Sequence, residues 1–372
     1  MAKKKTVDPY DIEEAFRIIE DELISSLKRN LQRHIDEEIN VDVAYEAWQT
    51  EQMKALQQYR FVKDEYFKQR YSKLNNQIRE LLKQTFNDAR LNEENAILRR
   101  VAGIKKETVK DKDLRILDNN KLDALMNATV NDLQKAEYAT LRMMDDQYRK
   151  IIFNAQVYLN TGSGTLRTAI DMATKDFYAN GISSIEYRDG RRVNITSYSE
   201  MALRTANKRA ALTGQAAARD EYGLSLVVIT RRGVACHKCQ PFCGRVCIDD
   251  VYGSGQPDGK HPLLSEFIAR GLYHPNCKDS HSTYYEGISP TPKPMTKAEK
   301  AEAQRIYDLE QQQRYNERQI RKYKRLEANQ LDPDNVAAAR AKKQEWQKRQ
   351  REFIADHEEL RRKYDREKIY LM

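Results

Sequence analysis

Apolar residues recur at threes and fours along most of this chain, the spacing of helices that bury one face. Behind Asp8-Pro9, a capping residue and a proline suited to the first helical position, Ile12, Phe16, Ile19, Leu23, Leu27 and Leu31 make one stripe on an otherwise polar cylinder. A second tract passes Ala44, Trp48, Met53, Leu56 and Tyr59 towards Leu74, Ile78 and Leu82. A third covers Leu114 to Met144 and continues to Leu159. No proline stands between Pro9 and Pro241. The pattern predicts an N-terminal helical region over residues 1–160, arranged as a bundle or hairpin.

The pattern then shortens. Thr161-Gly-Ser-Gly-Thr165 predicts a break before a helix from Leu166 to Tyr178. Ile182 to Tyr187, an Asp189-Gly190 turn and Val193-Asn-Ile195 predict a β-hairpin, because Asp-Gly supplies the positive φ that such turns need. Ser197 is placed to cap a helix from about Tyr198 to Arg219. Leu224-Ser-Leu-Val-Val-Ile-Thr230 is the best strand in the chain. Residues 161–288 thus read as a small α+β domain. Ser289-Pro-Thr-Pro-Lys-Pro294 is stiff linker chemistry, giving a linker over 289–295. Over 296–372 a polar helix through Ile306, Leu309, Ile320, Tyr323 and Leu326 is broken at Asp332-Pro-Asp. Another follows with Trp346, Phe353 and Leu360 at intervals of seven. This is a coiled-coil-like helical hairpin with a thin seam, or a single solvated helix docked on the N-terminal helices. The overall fold class is mostly α.

Composition agrees with long solvated helices. A third of the 372 residues are charged and the mean hydropathy is -0.85, with few glycines and prolines. The net charge of +9 comes from 65 basic residues mixed among 56 acidic ones, the pattern of helix faces laced with ion pairs rather than of a phosphate-binding groove. The basic start Met1-Ala-Lys-Lys-Lys-Thr6 has no apolar stretch behind it, so no signal peptide is expected. Nothing approaches the roughly 18–20 apolar residues of a membrane span. Both point to a protein made in a cytosol, where clustered cysteines serve as ligands more often than as disulfides.

Four of the five cysteines fall between Cys236 and Cys247, and the fifth, Cys277, lies between His274 and His281. Cys236-His-Lys-Cys239 has the Cys-x2-Cys spacing that lets two thiolates face one Zn²⁺. The second pair comes from Cys277 with His281, or with His274 if Pro275-Asn276 forms a turn. A structural Zn²⁺ held by Cys236, Cys239, Cys277 and His281, with His274 as the alternative fourth ligand, is the best reading. Cys243 and Cys247 offer further usable spacings. A redox Cys-x2-Cys lacks the surrounding βαβ pattern, and a Cys-His nucleophile pair lacks an orienting third group. No cofactor-binding motif stands out. A metal-assisted nuclease, with His237, His261 or His274 activating water, is the catalytic alternative.

Three stretches then become familiar: "SSIEYRDGRRVNITSYSEMALRTANKRAAL", "EYGLSLVVITRRGVACHKCQPFCGRV" and "GLYHPNCKDSHSTYYEGIS". They resemble the phage minor capsid (head morphogenesis) protein family, whose frame stands here as Gly190-Arg191-Arg192, Tyr198 to Thr205, the Leu224 strand, Cys236/Cys239, Gly244-Arg245-Val246 and Asn276-Cys277. The resemblance covers roughly 160–325, including the helix "QRYNERQIRKYKR". Relatives usually carry Cys or His where this chain has Asp279, which leaves His281 or His274 as the substitute ligand. The resemblance implies a non-enzymatic structural protein of a tailed phage, assembled in the bacterial cytoplasm and carried in the virion head. Its implied partners are the portal protein and other head proteins during procapsid assembly, with non-specific contact to packaged DNA left open. A zinc-containing DNA-binding or nuclease-like protein is the alternative. The stripes on the terminal helices would dock on the head, or else pack on each other within one chain.

Overall fold

The computed structural model describes residues 9–38, 45–101, 103–105, 111–160, 166–187, 190–230, 236–274, 277, 279–290 and 293–370. Asp8, the Thr161–Thr165 break, Asp189 of the hairpin turn and Pro275-Asn276 lie outside them. Eight α-helices dominate the described residues: α1 (Pro9–Glu38), α2 (Tyr45–Arg100), α3 (Asp111–Asn160), α4 (Leu166–Asn180), α5 (Ile195–Glu221), α6 (Leu264–Ala269), α7 (Lys297–Asn329) and α8 (Pro333–Ala355). The fold is mostly α, as the pattern predicts. Neither α2 nor α3 contains a glycine or proline, so nothing interrupts 56 and 50 residues of helix.

The helix starts follow local chemistry. The Asn194 carboxamide oxygen accepts from the amides of Thr196 at 2.8 Å and Ser197 at 3.4 Å. The cap of α5 is therefore Asn194, three residues before the predicted Ser197, because its side chain reaches the first free amides. Thr296 and Glu299 close a capping box at α7. Asp332, with Pro333 behind it, caps α8 by accepting from the amides of Asp334 and Asn335. The proline that ends one helix thus starts the next. Leu360, the third member of the predicted seven-residue series, lies beyond the end of α8 at Ala355.

The chain forms two compact units, each built from separated segments. One comprises Met1–Pro9, Asn75–Asp132 and Glu200–Leu309; the other comprises Tyr10–Leu74, Leu133–Ser199 and Glu310–Met372. We call them the sheet unit and the bundle unit.

In the sheet unit, β3 (Leu226–Ile229) is the middle strand between β4 (Val246–Ile248) and β5 (His281–Thr283), antiparallel to both. β4, β5 and α6 are too short to leave a periodic signal, and the sequence pattern predicted only β3. The register sets Val227 beside Cys247 and Thr283, and Ile229 beside His281. Val227 and Ile229 point into a core with Cys239, Phe242, Cys247, Leu264, Phe267, Leu272 and Cys277. α5 lies close to α2 because Gly214 has no side chain: a Cβ there would stand 2.2 Å from the Phe86 carbonyl oxygen.

The bundle unit holds the predicted α1 stripe, with Ile12, Phe16, Ile19, Leu23, Leu27 and Leu31 all buried. A small hairpin, β1 (Ile185–Glu186) with β2 (Arg192–Val193), also belongs to it. α1 is not amphipathic along its middle, however: residues 19–25 are buried on every side, including Glu20, Asp21 and Glu22. Each of these acids meets a different set of partners. Glu20 accepts from the Ile182 amide at 2.9 Å and the Thr196 hydroxyl at 2.6 Å. Asp21 accepts from the Tyr370 amide at 2.8 Å, and Glu22 pairs with Arg70. Lys28 donates to the Ala328 carbonyl at 2.7 Å. The α1 stripe is thus buried within the chain.

Burial, then the neighbouring charge of Glu20, pushes the Asp21 carboxyl up to about 7. A carboxyl with a raised folded pKa weakens the fold as it ionises, so this loss develops as pH rises from about 4 to 7. Asparagine would keep the acceptor for the Tyr370 amide without the charge. Asp21→Asn is expected to raise stability in urea by on the order of 1–3 kcal/mol at pH 8 and to change it little at pH 4. A variant less stable than wild type at pH 8 would refute the assignment.

Candidate metal centre

The loop between β3 and β4 brings Cys236 and Cys239 onto one side of a tight turn. The Cys236 carbonyl accepts from the amides of Cys239 and Gln240, both at 3.0 Å. Gly244, at φ +76°, then donates to the Ile229 carbonyl and returns the chain to the sheet. On the other side, Tyr273 takes φ +58°, a left-handed conformation rare for a bulky residue. The Cys277 amide donates to the His274 carbonyl at 2.9 Å, which folds His274 back over Cys277.

These two segments meet. Cys236 Sγ lies 3.0 Å from His274 Nε2, and Cys239 Sγ lies 3.4 Å from Cys277 Sγ. Ligand atoms of Cys236, Cys239 and His274 all fall within 4.8 Å of one another, as do those of Cys239, Cys277 and Asp279. In a tetrahedral zinc site with Zn–S near 2.3 Å, neighbouring ligand atoms stand about 3.8 Å apart. The soft thiolates and the imidazole therefore suit a Zn²⁺-type ion, with the donors standing in two groups that share Cys239. The hydrogen bond with Cys239 holds the Cys277 thiol below its ordinary range, and the Lys208 ammonium, 4.0 Å from the sulfur, acts in the same direction. Lys208 also sits 3.9 Å above the Tyr273 ring.

The other predicted residues stand elsewhere. Cys247 is a core residue on β4, its thiol pushed up to about 12 by burial. Cys243 packs with Met295 and Ala303. His237 is exposed, and His261 Nδ1 pairs with Asp258 at 2.6 Å. His281 belongs to a second buried cluster. Its Nδ1 lies 2.9 Å from the Tyr273 hydroxyl, and its Nε2 lies 3.5 Å from Arg219 Nη2 and 3.6 Å from Asp249 Oδ2.

Arg219, fully buried, pairs with that same Asp249 oxygen. Burial works to raise Asp249, but Arg219 and His281 outweigh it and leave the carboxyl below its ordinary range. Burial, then Arg219, pushes His281 down to about 3, so the imidazole is neutral at pH 7. Lys208 and Arg219 were not singled out from the sequence, although a signal existed. Arg219 falls in register with the buried Leu212 and Ala216 of α5, a charge on an apolar stripe that requires a buried partner.

The family described as Phage minor capsid protein 2 matches residues 7–355. A "Structural protein" of Lactococcus phage LL-H is 24% identical over 262 residues, covering 68% of each chain. A "Structural protein" of Lactococcus phage mv4 is 34% identical over 116 residues, which cover 30% of this chain and 93% of that relative. No solved structure matches the chain.

Arg219→Met would leave the buried Asp249 carboxylate without its main counter-charge, and is expected to cost about 3–5 kcal/mol in urea unfolding. Adding Asp249→Asn removes the stranded charge while keeping an acceptor for the Tyr252 amide, and should recover at least half of the loss. A double variant no better than Arg219→Met would show that the pair is not the source of the stability.

Proposed function

Because the chain belongs to the phage minor capsid protein 2 family, we propose that it is a non-enzymatic minor component of a tailed-phage head. In this reading it joins the procapsid at the portal vertex in the host cytoplasm and remains in the virion. The match over residues 7–355, with relatives called structural proteins of phages, carries the proposal. Its partners are the portal and neighbouring head proteins, and the coiled-coil-like pairing of α7 and α8 serves as framework. No helix among the described residues is long and apolar enough to cross a membrane.

A Zn²⁺ held by Cys236, Cys239, Cys277 and His274 fits this role as a structural clasp. It would tie the loop after β3 to the segment before β5, and so hold together a sheet that has little core of its own. His274 replaces His281 as fourth ligand because His281 is engaged by Tyr273 and lies beside Asp249. Asp279, near Cys239 and Cys277, accompanies the site as a neighbouring carboxylate. The nuclease alternative is weaker. His237 and His261 do not join the converging donors among the described residues.

Elemental analysis of protein purified without added metal is expected to find one zinc per chain. Cys236→Ser and His274→Ala should lose it, while Cys247→Ser and His281→Ala should keep it. Metal-free protein that folds normally would remove the clasp from the proposal. Mass spectrometry of purified procapsids and virions tests the location separately, and absence from both would refute the head assignment. DNA cleavage dependent on metal and lost in His261→Ala would favour the nuclease instead.

A further inference from the structure

The bundle unit carries a cleft between α1 and α2 that the metal site and the α1 core do not use. Its volume is about 590 Å³, within the usual range of binding pockets. Tyr59 and Phe67 form an apolar floor, and Val62 and Tyr66 form an open wall, 66% and 50% exposed. Two polar groups at the cleft are unusual. Glu22 is buried and gives one carboxylate oxygen to Arg70, but its other oxygen, Oε1, has no hydrogen-bond partner among the described residues. Arg29 is exposed at the edge, and no ion pair or hydrogen bond ties it to another described residue.

The remaining charges are accounted for. Lys54 pairs with Glu51 at 2.6 Å, and Lys63 pairs with Asp145. The cleft therefore has one surplus positive charge at its edge, and one buried oxygen that lacks a donor and whose desolvation is uncompensated. An occupant that complements both must bring a carboxylate to Arg29 and an N–H or O–H to Glu22. Between them it must supply an apolar body for Tyr59, Val62, Tyr66 and Phe67. Exposed apolar surface also continues past the cleft to Phe61, 69% exposed. A small metabolite would leave that uncovered, whereas a protein helix laid along α2 would cover it.

We propose that this cleft receives an amphipathic helix of another protein, one that presents a tryptophan or tyrosine within a turn of an acidic residue. The aromatic ring fills the floor and its N–H or O–H reaches Glu22, while the carboxylate pairs with Arg29. The partner is a neighbouring component of the head, and in that respect alone the proposal rests on the function proposed above.

The test places the photo-crosslinking residue p-benzoylphenylalanine at position 62 of the full chain, expressed in phage-infected cells. Illumination is expected to capture a peptide of another protein that carries Trp or Tyr within four residues of Asp or Glu. Arg29 is exposed and holds no hydrogen bond or ion pair among the described residues, so its replacement is expected to leave the fold intact. Arg29→Glu should lower the crosslink yield about tenfold, and Arg29→Lys should keep at least half of it. Capture of a second copy of this chain, of DNA, or of a peptide without that pairing would overturn the proposal. So would the absence of a crosslink, or an unchanged yield with Arg29→Glu. A chain that makes the expected crosslink but is missing from purified particles would sink the head assignment and leave the cleft standing.

Discussion

The sheet unit depends on bringing two distant loops to one point. Its sheet consists of three strands of three or four residues, and such a sheet buries too little apolar surface to define itself. In the function proposed above, its single arrangement comes from the meeting of Cys236 and Cys239, before β4, with His274 and Cys277, before β5. One loop precedes β4 and the other precedes β5, so an ion shared between them would constrain both outer strands against β3. The aromatic and aliphatic residues of α6 and its surroundings then pack against a sheet whose register is already constrained. The positive φ of Tyr273 is consistent with this demand, since strain is retained where surrounding contacts over-determine it.

A second constraint acts beside the first. Arg219 enters the same unit from α5 and meets Asp249 just after β4, while His281 arrives on β5. Removing a guanidinium and a carboxylate from water is costly, and each offsets part of that cost by facing the other closely. The neutral His281 fits beside them because Tyr273 satisfies its second nitrogen. Tyr273 therefore serves both arrangements: its backbone leads into His274 and its hydroxyl holds His281. The two histidines that the sequence offered as interchangeable ligands are separated by this one residue.

Much of this was legible in the sequence, and the failures share a physical cause. The long helices were readable because α1, α2, α3 and α7 repeat their apolar spacing over many turns, although the second tract was legible only to Leu82 and α2 runs on to Arg100. The caps at Asn194 and Thr296 are less legible because Ser197 is also a good capping residue and prolines run up to Pro294, although Thr-Lys-Ala-Glu299 is a capping-box pattern. β4 and β5 are too short for periodicity to register. At the metal centre, spacing identified Cys236, Cys239 and Cys277 as candidates, but could not choose between His274 and His281. That choice depends on Arg219 and Asp249, which are remote from both histidines in the chain. The three buried acids of α1 were equally illegible, since their partners lie at Arg70, Thr196 and Tyr370.

The fate of the five cysteines shows why local spacing has this limit. Cys239, Cys243 and Cys247 repeat every four residues, a series that would share one face of a helix. The segment is instead a turn followed by a strand, and the series is dispersed. Cys239 faces Cys277, Cys243 turns towards Met295 and Ala303, and Cys247 takes its place opposite Val227. The register of β4 against β3 settles the role of Cys247: on the pleat it must face the core that Val227 faces. A thiol placed there is a small hydrophobe. The same residue type two turns earlier, with an imidazole and a second thiol across from it, becomes a candidate ligand. The difference lies in what the fold sets opposite each sulfur.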